Sequence, residues 1–318
     1  MRRSALFLLV LFAGVVLAAA PAAHAQRNFD DVVITPLKLA DGLWMLTGSG
    51  GNLLVCAGPD GALLVDTQYG PLAARIRAVT DSLGGGRPLR FVLNTHYHGD
   101  HVSGDSAMAA AGATIVAHAN VRRRMSVDRF NETFRTTTKA APVTALPVLT
   151  FSDSLTFHLN GHEVRVLHLP PGHTDGDAVV WVPAANVLHT GDLLFNGTYP
   201  VIDVSAGGSI GGMIRSLDLL LPLVGPATQV VPGHGPLADR AALLRFRSML
   251  VTVRDRVTKL VKEGRTFEQV MAAKPLADLD RAWGTGFMKP DAFLQVVYRD
   301  LSREPPAPLP DPLHGHQH

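Results

Sequence analysis

Between positions 96 and 101 the chain reads His96-Tyr97-His98-Gly99-Asp100-His101, which places four metal-capable side chains in six positions. Imidazole nitrogen and carboxylate oxygen are ordinary ligands of Zn2+ at neutral pH. Two histidines one residue apart at a strand end can point at one ion, and Asp100 and His101 on the turn that follows can face a second. Chance surface histidines rarely crowd this closely. Three further metal-capable residues recur downstream, each just after an apolar segment and next to glycine. They are His173 in Pro171-Gly172-His173-Thr174, Asp192 in Thr190-Gly191-Asp192, and His234 in Pro232-Gly233-His234-Gly235. Seven residues suffice for two ions with one shared ligand. Ions held this way lower the pKa of a bound water toward neutrality and polarise a substrate oxygen. The expected chemistry is therefore attack of a metal-bound hydroxide on a carbonyl or another ester-like centre, with Asp100 orienting the hydroxide as well as binding metal. No serine or cysteine nucleophile is needed, and Ser103, close to the motif, has no triad around it.

Positioning such ligands calls for short buried strands that end abruptly. Residues 43–47, 52–57, 62–65 and 89–93 read as strands, and the last runs straight into His96. Helical spacing over 71–83 stops at Gly84-Gly85-Gly86, and a short helix over 106–111 precedes a strand over 113–117. Residues 154–159 and 162–168 flank Asn160-Gly161, the pair that favours a type I′ hairpin turn. Residues 178–182 and 187–190 form a second candidate hairpin. Helix returns over 210–223, a strand follows over 229–231, and helices are expected over 236–261, 266–273 and 291–302. The stretch 121–147 is irregular, and its Arg122-Arg123-Arg124 run reads as a solvated helix face. This alternation of strand and helix indicates an α/β layered architecture, which builds its sites outside strand ends.

Composition narrows the partners. The 318 residues are 47% hydrophobic, enough for a substantial core, and carry 29 basic and 27 acidic side chains. Arg2 and Arg3 account for the whole formal excess of +2, so no basic surplus favours nucleic acid. Cys56 is the single cysteine, so no intramolecular disulfide can form, and its apolar surroundings read as core. Residues 1–25 have the layout of a secretory signal peptide: Arg2-Arg3, an apolar run, then Ala23-His24-Ala25. The mature protein is expected in the periplasm or outside the cell, without stable membrane insertion. The proline-rich end, 304–318, is expected to be a disordered tail.

Taken in order, Leu63-Leu64-Val65-Asp66-Thr67, Asn94 through His101, Gly172-His173-Thr174, His189-Thr190-Gly191-Asp192 and Pro232-Gly233-His234-Gly235 make the sequence resemble the metallo-β-lactamase superfamily. The resemblance implies one domain over 30–303: an α/β, four-layer αβ/βα sandwich with metals at the edge of two facing mixed sheets. It implies two zinc ions per chain. His96, His98 and His173 would hold the first, Asp100, His101 and His234 the second, and Asp192 would bridge them. Asp66 would support a ligand histidine from behind. His118, His158, His162, His168 and His189 match no metal role.

The expected substrate is a small molecule with a cyclic amide, lactone or ester carbonyl. Export fits a β-lactamase, although zinc β-lactamases have Cys or Ser in the region of Asp192, and a bridging Asp is typical of relatives that cleave thioesters, lactones and phosphodiesters. The segment 191–203 is read either as a wall of the substrate pocket or as a plain connector. Competing readings are a mononuclear iron dioxygenase acting on sulfur compounds and a non-catalytic periplasmic metal- or ligand-binding protein.

Overall fold

The computed structural model describes residues 28–303. The leader expected over 1–25 and the tail expected over 304–318 lie outside the described residues. From Val32 to Arg303 the chain forms one compact unit. Its first half is an antiparallel meander of β1 (Thr35–Ala40), β2 (Leu43–Thr47), β3 (Leu53–Gly58) and β4 (Gly61–Val65). Helix α1 (Ala73–Leu83) then crosses to β5 (Leu89–Asn94), which pairs parallel to β4. Two short helices, α2 (Gly99–Val102) and α3 (Asp105–Ala110), lead to β6 (Thr114–His118), again parallel. Helix α4 (Ala119–Met125) and a two-stranded ribbon, β7 (Arg129–Asn131) and β8 (Thr136–Thr138), precede β9 (Leu149–Phe151), which completes a seven-stranded mixed sheet.

The second sheet is β10 (Ser154–Leu159), β11 (His162–His168), β12 (Ala178–Val182), β13 (Val187–His189) and β14 (Gln229–Val231). Its first four strands pair antiparallel, and β13 and β14 pair parallel across α5 (Ile210–Leu220). Asn160 and Gly161 both have positive φ, 55° and 75°, as a type I′ turn between β10 and β11 requires. Four helices follow: α6 (Arg240–Lys262), α7 (Phe267–Ala273), α8 (Ala277–Trp283) and α9 (Pro290–Ser302).

The two-residue side-chain period of a strand sorts the core. Leu54, Cys56, Leu63 and Val65 of the first sheet meet Val164, Val166, Ala178, Val180 and Val182 of the second. The alternate residues Val179, Trp181, Leu188 and Val230 turn outward into a second core with Leu217, Phe246, Leu250 and Phe293 of α5, α6 and α9. Both faces of the central strands are covered, so β12 is buried throughout and reads as an unbroken apolar run. This is the four-layer αβ/βα sandwich. Among the described residues no helix is long and apolar enough to cross a membrane.

Several sequence-based boundaries shift. The helix expected from 236 begins at Arg240, capped by the Asp239 carboxylate, which accepts from Ala242 N–H at 2.7 Å. The helix expected over 210–223 ends at Leu220, and a 3-10 turn containing Pro222 follows. The irregular stretch holds α4 and the ribbon. Its arginine run is more than a solvated face: Arg124 makes a fork-like pair with Asp175, at 2.6 and 2.8 Å, and lies against the Tyr97 ring.

Phe246 is among the largest fully buried side chains of the outer core. Phe246→Ala should cost about 3–5 kcal/mol in unfolding free energy, measured by urea titration of the mature protein. A loss below about 1 kcal/mol would mean that α6 is not packed as described.

Candidate metal centre

The C-terminal ends of β4, β5, β11, β13 and β14 meet along one edge of the sandwich, and the loops leaving β5, β11, β13 and β14 carry the metal-capable residues. Asn52 stitches the two sheets together there. Its backbone N–H donates to Gly233 carbonyl at 2.8 Å, and its side-chain Nδ2 donates to Pro232 and Gly235 carbonyls, both at 2.9 Å. His189 Nε2 donates in turn to the Asn52 carbonyl at 3.0 Å, and its Nδ1 accepts from Gly191 N–H at 3.1 Å. His189 is thus a buried structural histidine, with both ring nitrogens used by backbone.

All seven residues expected to bind metal converge, in two groups. His96, His98, His173 and Asp192 each offer a ligand atom within 4.8 Å of the others, and so do Asp100, His101 and His234. His173 Nε2 stands 2.7 Å from His98 Nδ1 and 3.3 Å from Asp192 Oδ2, with His96 Nε2 3.8 Å from that same oxygen. In the second group His234 Nε2 lies 3.4 Å from both Asp100 Oδ2 and His101 Nε2. Asp192 belongs to both: Oδ1 is 3.2 Å from His101 Nε2, and Oδ2 is 3.5 Å from His234 Nε2. Gly233 lets the His234 loop pass this close, since a Cβ there would collide with Asp192 Oδ1.

The nitrogens facing away from the ligand cluster are tied down one by one. Asp66 sits at φ 63°, a left-handed conformation that aims its buried carboxylate under the motif. Oδ1 accepts from Thr95 N–H and Oδ2 from the Thr95 hydroxyl and His101 Nδ1, all at 2.8 Å. The Thr95 hydroxyl is also 3.0 Å from His96 Nδ1, so Asp66 fixes two ligand rings, one of them through Thr95. His173 Nδ1 donates to Val201 carbonyl at 2.7 Å, which leaves Nε2 as the unprotonated nitrogen. The loop carrying His173 closes on Asp177, whose carboxylate accepts from the backbone N–H groups of Gly172, His173 and Thr174. The His234 ring stacks on Phe195, with centroids 5.0 Å apart and planes 18° off parallel.

Asp177, Asp203, Asn52 and Phe195 were not singled out from sequence. Asp177, four residues after His173, had a faint signal in Gly172-His173-Thr174-Asp175-Gly176-Asp177, although Asp175 competes with it there. Phe195 and Asp203 fall in the segment 191–203, read as a pocket wall or a connector, but nothing in that segment marks Asp203 as the support of a histidine. His118 stacks on His168, centroids 3.8 Å apart, away from the ligands. Cys56 is buried, and burial pushes its thiol up to about 11, which makes it inert.

Charge in the cluster is balanced internally. Burial favours neutral Asp192, yet His234, His101, His173 and His96 around it hold its carboxyl well below the ordinary range. Burial likewise opposes charge on His101 and His234, but Asp192 and the neighbouring carboxylates outweigh it. His101 is held well above the usual imidazole value, and His234 is raised to about 9. His96 is pushed far down by burial and by His101, and burial takes His173 to about 4. His96 Nε2 is buried and finds no hydrogen-bond partner. A buried lone pair grouped with the ligand atoms of His98, His173 and Asp192, and without a hydrogen-bond partner, is what a divalent cation satisfies. Nitrogen and carboxylate donors with no thiolate suit zinc, and iron and manganese accept the same atoms. The residues fit two ions.

The comparisons agree with this architecture. The family model for the metallo-beta-lactamase superfamily matches residues 46–234. The chain belongs to that superfamily. It is 30% identical over 211 residues to a metallo-beta-lactamase type 2 of Bacteroides fragilis, covering 65% of this chain and 78% of that one. It is 34% identical over 150 residues to a hydroxyacylglutathione hydrolase of Methylococcus capsulatus, spanning 46% of this chain and 48% of the relative. Among solved structures, a metallo-beta-lactamase from Pontibacter korlensis superposes with TM-score 0.57 at 21% identity, over 69% of this chain and 99% of the other. The sec-alkylsulfatase Pisa1 from Pseudomonas sp. superposes with TM-score 0.61 at 20% identity, over 84% and 50%. At these identities the two structures speak for the fold alone.

A divalent cation taken up by the Asp100, His101 and His234 group, zinc included, would have to displace protons from His101 and His234, whose imidazoles are held above their usual value. Both groups are raised, so proton release on zinc uptake should be large at pH 7, and the share from His234 should fade as pH rises past about 9 while His101, held well above the usual imidazole value, still contributes. Calorimetric titration in two buffers of different ionisation enthalpy measures the released protons. Zinc uptake without release at pH 7 would contradict this charge balance.

Proposed function

We propose that this chain is an exported dinuclear zinc hydrolase that cleaves a cyclic amide, lactone or ester bond in a small molecule. The observation that carries the reading is Asp192, one buried carboxylate in contact with both ligand groups, each otherwise complete. The names of relatives acting on β-lactams and on hydroxyacylglutathione support hydrolysis as the reaction class. The leader-like sequence at 1–25 supports export, and the balanced mature charge supports a small-molecule substrate rather than a nucleic acid.

The site is open on one side only. The side chains of His98, Asp100 and His234 are 19%, 26% and 28% exposed, whereas those of His96, His101, His173 and Asp192 are almost fully buried. Substrate therefore approaches across the three exposed ligands. His96, His98 and His173 would hold one ion, Asp100, His101 and His234 the other, and Asp192 would lie between. Two zinc ions there would supply a water acidic enough to attack at neutral pH and a Lewis acid for the substrate oxygen. Asp100, at the open side, is placed to orient that water. Burial alone would raise its carboxyl, but His101 and His234 hold it well below the ordinary range, so it stays ionised at neutral pH. It therefore directs a proton rather than storing one. The buried imidazoles and Asp66 keep bulk water from the inner side, where it would screen these charges.

Elemental analysis of the mature protein, run beside hydrolysis assays with nitrocefin, a lactone and a thioester, tests the proposal. Two zinc per chain and turnover that a chelator abolishes are expected. One iron per chain with no hydrolysis would overturn it.

His98→Ala and His234→Ala should each lose zinc and lower kcat/KM at least about 100-fold, since each removes a direct ligand. Full turnover at normal zinc content in either variant would remove that residue from the site. Asp192→Ser should lower zinc occupancy, and unchanged occupancy would remove Asp192 from the bridge.

A further inference from the structure

Asp203 lies at the end of the loop 191–203, and its carboxylate is almost fully buried. Oδ1 accepts from the Ser205 hydroxyl at 2.9 Å and from Ala206 N–H at 3.1 Å, which fixes a tight turn. Oδ2 faces the other way. It accepts from the Tyr97 hydroxyl at 2.5 Å, from His98 Nε2 at 3.0 Å and from Asn131 Nδ2 at 3.3 Å. Three donors converging on one oxygen demand an ionised carboxylate. An amide could not serve all of them, because turning its NH2 toward them would set donor against donor.

His98 differs from the other histidines of its group. His173 meets the cluster through Nε2, and the free buried nitrogen of His96 is Nε2, whereas His98 faces His173 through Nδ1. A neutral imidazole has one proton, so Nδ1 is free for a ligand bond only if Nε2 carries that proton. Asp203 Oδ2 is the group that accepts it.

Asn131 extends this arrangement outward. It closes strand β7, and its Oδ1 accepts the backbone N–H groups of Thr133 and Phe134, both at 3.0 Å, so it also shapes the tip of the ribbon. The ribbon turn is also tied to α9 and the residue after it, through Glu132 with Arg299 and Arg303, at 3.2 and 3.3 Å, and Arg303 in turn donates to the Val204 carbonyl next to Asp203.

We infer that Asp203 is the positioning residue of the first metal group, holding His98 in the Nε2–H form with Nδ1 directed at the ion, and that Asn131 locks this carboxylate to the β7–β8 ribbon. The inference rests on the two-ion reading above. Asp203 touches neither ion nor substrate; it acts through His98.

The test is Asp203→Asn in the mature protein, with zinc affinity measured by competition against a chromophoric chelator and ring protons followed by NMR of nitrogen-15 histidine in the zinc-loaded form. Asn keeps an oxygen for Ser205 and Ala206 and offers its NH2 to His98. One of the two zinc ions should bind about 10–100-fold more weakly, and the protected His98 Nε2–H signal of the parent should disappear. Asn131→Ala leaves the Ser205–Ala206 turn of Asp203 intact; it removes the outer donor to Oδ2 together with the ribbon-tip acceptor of Thr133 and Phe134. It should weaken the same ion about two- to fivefold, and it carries the test if Asp203→Asn does not fold. Zinc affinity within about twofold of the parent in the folded variants, with the His98 signal unchanged, would overturn the inference. A parent that binds no zinc would instead refute the two-ion reading, so the two failures are separable.

Discussion

Everything along the metal edge depends on keeping Asp192 ionised away from water. An isolated carboxylate in such a place would cost several kcal/mol and would take up a proton instead. Asp192 avoids this because His96, His101, His173 and His234 all stand within 4 Å of its oxygens. In the metal-free protein the balancing charge is borne by protonated His101 and His234. With cations present the same carboxylate becomes their common counter-charge. The cluster is thus arranged around positive charge in either state, and proton and metal compete for the same nitrogens.

That arrangement works only if each imidazole is held in one tautomer and one orientation, which is the task of the buried groups behind it. Asp66 fixes His101 directly and His96 through Thr95, Val201 carbonyl fixes His173, and Asp203 fixes His98. His234 has an aromatic face behind it instead, Phe195. Asp105, below Asp66, shows the opposite outcome of burial. Only Thr67 and Asn94 donate to it, its Oδ2 has no partner, and burial pushes its carboxyl well up. Burial thus works against a charge on Asp105, in contrast to Asp192, whose surrounding imidazoles favour one.

The seven metal-capable residues that converge were legible in sequence because each follows a short apolar strand and lies near glycine, a purely local pattern. The central strands were legible as apolar runs, and Asn160-Gly161 fixed the β10–β11 turn. The residues behind the ligands were hidden for a physical reason. Asp203 reaches His98 across 105 positions and Asn52 reaches Gly235 across 183, and neither has a neighbouring residue that marks its role. The ribbon was missed because Thr136–Thr138 is exposed on every residue, so no alternation of polar and apolar side chains appears. The start of α6 was placed too early because Pro236 suits a first helical turn, while the side chain that caps the helix is Asp239.

The same contrast separates what the fold fixes from what it leaves free. The seven metal-capable residues follow the ends of β5, β11, β13 and β14 within a few residues, so the sheet pairing sets where their loops begin and the metal edge follows from the sandwich. The supports come from loops and from the ribbon, which no sheet register constrains. Asp203 and Asn131 join the two kinds of element: a ligand on the rigid edge takes its orientation from a carboxylate on a loop, and that loop is held by a ribbon outside both sheets. A change in the ribbon sequence can therefore reach His98 without altering a single ligand or strand. Chains that keep the metal motif intact can in this way differ in how firmly the first ion is held, and a reading of the motif alone would not detect it.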